Sequence, residues 1–104
     1  MTTVLLLGRT HAVIDTARDQ LQAPGLEILG ATDAEGVRTA LANASVDHVI
    51  MGAGLDLETR LAVIAEVFGT TDGTTVHMKD TASGPEGFLP FARALLAGLA
   101  EWKR

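Results

Sequence analysis

The sequence predicts an α/β domain spanning residues 1–104: a three-layer sandwich around a four-stranded parallel sheet in the order 2-1-3-4. Three observations predict it. The runs "TVLLLG", "LEILGA" and "VDHVIMGAG" are short and apolar, which suits strands buried on both faces. Each run is followed by a segment whose apolar residues recur at helical spacing. Strand and helix alternate four times with short connections, which calls for parallel neighbours joined by right-handed crossovers.

The first strand covers 3–8. Over 11–22, Val13, Ile14, Ala17 and Leu21 form an apolar stripe opposite Asp15, Arg18, Asp19 and Gln22, and "APG" at 23–25 breaks the helix. The second strand is 26–31. Asp33 caps a helix that carries Val37, Ala40, Leu41 and Ala44 inward. The third strand is the run 46–54. Asp56 is the next N-cap, and Leu57, Leu61, Ile64 and Phe68 recur at intervals of four, three and four, the strongest helical signal in the chain. A turn at 69–73 leads to the fourth strand, 74–79. The loop 80–87 precedes the last helix, which either opens on a capping box of Ser83 and Glu86 or starts near 88, ahead of Pro90. Phe88, Phe91, Leu95, Leu99 and Trp102 share one face of it, and Leu89 and Leu96 widen that face.

Composition narrows the function classes. Hydrophobic residues make up 47% of 104, with a mean hydropathy of +0.26, and a domain this small has little interior. Self-association as a homodimer is therefore expected, through Phe88, Phe91, Leu95, Leu99 and Trp102. The net charge of −5 and the lack of a basic block argue against nucleic-acid binding. A chain without Cys has no disulfide, thiolate nucleophile or Cys-based metal site. Its three His have no ligand spacing, so no metal is expected. The first residues, "MTTVLLLGRT", do not read as a signal peptide and no segment has the length of a membrane span, so the expected location is cytoplasmic.

Ligands of such sheets bind outside the carboxyl ends of the strands where the strand order reverses, here between the first and third strands. That edge gathers Gly8, Arg9, Thr10 and His11, then Thr32 and Asp33, then Gly52, Ala53 and Gly54, and finally Lys79 and Ser83. Arg9, His11 and Lys79 supply positive charge, glycines allow close backbone approach, and helix N-termini turn their positive dipole ends the same way. A phosphate or carboxylate suits the arrangement. Plain turn and cap chemistry uses the same residue types, and both readings stand open at this point. His48, near the start of its strand, is assigned a structural role; His77 shares a strand face with Lys79.

Read in register, residues 4–54 resemble part of a short-chain dehydrogenase/reductase. Gly8, Arg9 and Thr10 match the Gly-Arg-Ser/Thr that ends the family's second strand, and Gly30, Ala31, Thr32 and Asp33 stand where its third strand ends. Met51, Gly52, Ala53 and Gly54 fill the place of its Asn-Asn-Ala-Gly. The resemblance implies a Rossmann/flavodoxin-like fold in which Arg9 reads the 2′-phosphate of NADP, or in which another adenine nucleotide binds. The departures are chemical. The Gly-rich pyrophosphate turn is missing, both Asn are replaced, Gly30 stands where an acidic residue is expected, and the family's Tyr-x-x-x-Lys cannot exist in a chain without Tyr. Binding without hydride transfer is the expectation, and no complete catalytic motif is present. The chain also resembles receiver domains of response regulators in strand order and in Lys79, but Gly8, Arg9 and Gly52 replace their acidic residues. That likeness implies a phosphorylation-independent regulatory or scaffolding module acting through homodimerisation or protein partners. A third option, proton transfer by His11, Lys79 or Asp80, has no reaction class attached.

Overall fold

Strand β1 (Thr2–Leu7) is the element on which the others assemble. It pairs in parallel with β2 (Leu26–Ala31) from Thr2↔Leu26 to Leu7↔Ala31, and with β3 (His48–Met51) from Val4↔His48 to Leu7↔Met51. On the far side of β3, β4 (Thr75–Met78) pairs in parallel from His48↔Thr75 to Met51↔Met78. The order β2-β1-β3-β4 is the one the alternation of elements predicts, and the architecture is Rossmann/flavodoxin-like. This computed structural model describes residues 1–52, 54–80 and 85–102.

Four helices cover the sheet: α1 (His11–Leu21), α2 (Ala34–Asn43), α3 (Leu57–Thr70) and α4 (Phe88–Trp102), the last preceded by a single 3₁₀ turn at Pro85–Gly87. The first three begin where a side-chain oxygen can hold an orphan amide. Thr10 accepts from the Val13 N–H, Asp33 from Gly36 and Asp56 from Thr59. Ser83 lies outside the described residues, and α4 takes the later of the two possible starts.

Alternation along β1 divides the core into two layers. Leu5 and Leu7, with Val49 and Met51, meet Val37 of α2 and Val63 and Val67 of α3 on one face. Val4 and Leu6, with Ile28 and Ile50, meet Ala17 and Leu21 of α1 and Phe88 and Ala92 of α4 on the other. Each fully buried Leu or Val in these layers stabilises the fold by about 1.5–3 kcal/mol relative to exposure.

Several details differ from the sequence pattern. The third strand is shorter than 46–54: its ladder with β1 and β4 runs from His48 to Met51, and the buried Val46 lies ahead of it. Val13 is exposed, and α1 turns Ile14, Ala17 and Leu21 inward instead. The largest difference is in α3. Its buried side chains are Val63 and Val67, whereas Leu57, Leu61 and Phe68 of the conspicuous stripe face solvent. On α4, Phe88 is buried in the sheet layer rather than offered to a partner, and Phe91, Leu95 and Leu99 are half-buried. The Trp102 side chain lies outside the described residues.

Gly30 shows how closely the layers approach. A Cβ there would stand 2.3 Å from Cγ2 of Ile14, a branched core side chain with nowhere to move. Gly30→Ala is expected to destabilise the protein by about 1–3 kcal/mol through overpacking. In an Ile14→Ala background the same methyl should cost little, and a double-mutant cycle of urea midpoints reads the difference.

Candidate functional site

The carboxyl edge is organised by a residue that sequence reading passed over. Arg60, one turn into α3, donates from Nε to the Leu55 carbonyl at 3.0 Å, from Nη1 to that of Lys79 at 3.0 Å and from Nη2 to that of Gly52 at 3.3 Å. One planar guanidinium thus ties together the ends of β3 and β4 and the turn into α3. A signal for it exists in the sequence. A cation near a helix N-terminus opposes the macrodipole, so its charge needs acceptors nearby.

Arg9, Thr32, Gly54, Leu55, Asp56 and Thr59 line an open cavity of about 500 Å³ at this edge. It joins the segments that follow β1, β2 and β3, next to the point where strand order reverses. Arg9 lies across Gly54, where a Cβ would stand 3.2 Å from the arginine Cβ and 3.4 Å from its Cδ. Arg9 is exposed, and among the described residues its guanidinium has no ion pair or hydrogen bond.

Three helix N-termini converge here, but they are not equivalent. Asp33 and Asp56 place carboxylates on the first turns of α2 and α3, with cap bonds of 2.8 Å each. Bonding to the Thr59 side chain and amide holds the Asp56 carboxyl below its ordinary range. Those two positive ends are already matched by negative charge. At α1 the cap is the neutral Thr10, the first turn holds no acidic residue, and Arg9 and His11 flank it, both exposed. Of these three N-termini, that of α1 is the one that favours an added anion.

The remaining site residues separate. Gly8 and Gly52 are buried, and a Cβ on Gly52 would come within 3.3 Å of the Phe88 ring, so that glycine serves packing. Lys79 is 4% exposed, with its amine 3.4 Å from the Asp80 carbonyl and 3.8 Å from the Asp80 carboxylate. It does not line the cavity beside Arg9. Ala53 and Ser83 lie outside the described residues. No group of three or more His, Asp or Glu able to hold a metal occurs among the described residues, and no described helix is long and apolar enough to cross a membrane.

A larger cavity, about 670 Å³, opens at the opposite edge, between Pro24, Asp47, His48 and the end of α4 around Leu96 and Leu99. Met1 and the turn after α1 line it together with Asp47, so it carries charge of both signs and no cluster of cations. His48 is 1% exposed and belongs to a structural link between β3 and the edge strand β4. The Thr75 hydroxyl lies 2.5 Å from His48 Nδ1 and 2.9 Å from His77 Nε2. A hydroxyl has one proton, so when it donates to one ring it accepts from the other.

Two expectations follow. Arg60→Ala leaves three carbonyls without their charged donor and should cost about 2 kcal/mol of stability, of which Arg60→Lys recovers little; chemical denaturation measures both. Burial pushes the His77 imidazole below its usual value of 6.5. The unfolded chain therefore binds this proton more readily, and stability is full above 6.5 and falls as pH drops through the lower folded value. Urea midpoints between pH 5 and pH 8 should show that slope, and His77→Gln should flatten it.

No protein-family model, no curated protein and no solved structure matches this chain.

Proposed function

We propose that this protein is a small binding domain that takes a phosphorylated small molecule or nucleotide at the carboxyl edge of its sheet, and that it does not transfer hydride. The observation that carries this reading is Arg9, whose guanidinium has no partner among the described residues and whose stem lies against Gly54 at an open cavity of about 500 Å³. Arginine presents a planar fork suited to phosphate oxygens. The neutral cap of α1 leaves its positive end available beside that fork, and the hydroxyls of Thr32 and Thr59 line the cavity wall.

Asp56, on the same wall, repels an anion from the α3 side and directs its charge toward Arg9. The arrangement fits one phosphate monoester, since Arg9 is the single cation among the residues that line the cavity. A ligand such as NADP would engage it through the 2′-phosphate, in keeping with the Gly8-Arg9-Thr10 resemblance. Without Tyr, and with Met51 and Gly52 in place of the two Asn, the chain lacks the groups that make such a site a reductase.

Thermal unfolding with NADP, adenosine monophosphate and inorganic phosphate tests the proposal. A ligand present at a hundred times its Kd should add about 2.7 kcal/mol of stability. Arg9→Ala should abolish the shift without lowering the unfolding temperature of the free protein. No shift across a panel of nucleotides and sugar phosphates overturns the reading.

A further inference from the structure

The inward turn of Val63 and Val67 leaves α3 with an apolar flank. Leu57 is 70%, Leu61 57% and Phe68 55% exposed, and all lie round the helix from Glu66, which reaches Arg38 of α2 at 2.6 Å. One flank of α3 thus faces α2, and the apolar flank faces the opposite way, past β4. Met78 of β4, 45% exposed, continues the patch. Together these four residues expose roughly 450 Å², taking about 200 Å² for a fully exposed large side chain.

The strand beside this patch is an open edge. Thr75 and Lys79 direct their N–H groups to the Asp47 and Met51 carbonyls across the β3 ladder. Backbone groups alternate along a strand, so Val76 and Met78 turn theirs to the open side, where the sheet has no further strand among the described residues. Natural edges are commonly protected by Lys, Pro or a bulge. The stretch Thr75–Met78 has none of these, whereas β2, the other edge, carries the exposed Glu27.

We infer that a second copy of this chain docks here, β4 against β4 in antiparallel fashion about a two-fold axis perpendicular to the sheet. That operation keeps each face of the sheet on its own side, so α3 lies beside the partner's α3 with the two apolar flanks in contact. The spacing agrees. Arg60 bonds to the ends of both β3 and β4, which seats α3 between them. Two such helices across a shared edge stand two strand spacings apart, about 9.6 Å. Helices pack at about 8–10 Å.

The protein's net charge is −5, yet Leu57, Leu61, Phe68 and Met78 bring no carboxylate to the contact, so two identical acidic copies can meet there. The patch supplies more than half of the roughly 800 Å² that each partner of a standard interface buries, and the strand edge adds backbone hydrogen bonds. An isologous two-fold contact also closes, giving a dimer and no filament.

Size-exclusion chromatography with light scattering over a concentration series tests this. The wild-type chain should be a dimer. Leu61→Asp places a charge in the apolar seam, and Met78→Pro removes an outward N–H from the edge; each should raise the dimer dissociation constant by about a hundredfold or more. Both residues are exposed, and circular dichroism should show each variant folded. Leu99→Asp on α4 should leave the dimer intact. A wild-type chain that stays monomeric at its highest soluble concentration overturns the inference. So does a dimer that survives Leu61→Asp, or one that only Leu99→Asp dissociates. The phosphate-dependent shift of Leu61→Asp should equal that of the wild type, which separates this contact from ligand binding.

Discussion

Everything in this fold depends on β1 having no side that faces water. Val4, Leu5, Leu6 and Leu7 are fully buried, and their backbone groups are satisfied by β2 on one side and β3 on the other. Four consecutive large apolar residues, pointing alternately up and down, require an apolar layer on each face. Helices α1 and α4 supply one layer and α2 and α3 the other. Once both faces are covered, ligands can reach the middle of the sheet only at the strand ends, and the chain's polar chemistry collects there.

At the carboxyl end that chemistry serves two purposes. Most of it closes the structure: Asp33 and Asp56 hold helix amides, Arg60 gathers three carbonyls, and Gly52 makes room for Phe88. At α1 no carboxylate answers the helix end: Arg9 stands beside the neutral Thr10 cap as a cation without a partner among the described residues, with Gly54 fitting against the arginine stem. A site is distinguished here less by unusual residues than by charge that the fold does not consume.

The glycines carry a related lesson. Gly8, Gly30, Gly52 and Gly54 fall where a dinucleotide-binding resemblance gives them meaning, and the packing gives each another. At Gly8 and Gly30 the neighbour is Ile14, at Gly52 Phe88 and at Gly54 Arg9. Gly54 is the one that lines the cavity beside Arg9. Close approach within the protein and close approach to a ligand ask the same of a residue, so the letter G in the sequence does not separate them.

The strands, their parallel order and the caps at Asp33 and Asp56 are legible in the sequence alone, because they follow from local patterns and from connections too short to allow other topologies, whereas the Thr10 cap of α1 emerges only in the folded structure. The sequence also placed Arg9 at the switch point. Tertiary structure decided which side of α3 is buried. Leu57, Leu61, Ile64 and Phe68 make one helical stripe, and Arg60, Val63 and Val67 make another of the same period on a different side. Periodicity counts both equally. β-branched Val63 and Val67 fit against Val49 and Met51, and Arg60 must reach the strand ends, so docking on the sheet buries the second stripe, leaves Ile64 half-buried at its border and exposes Leu57, Leu61 and Phe68. The burial of Lys79 was decided in the same way, since a strand's sequence does not specify the depth at which its end is covered.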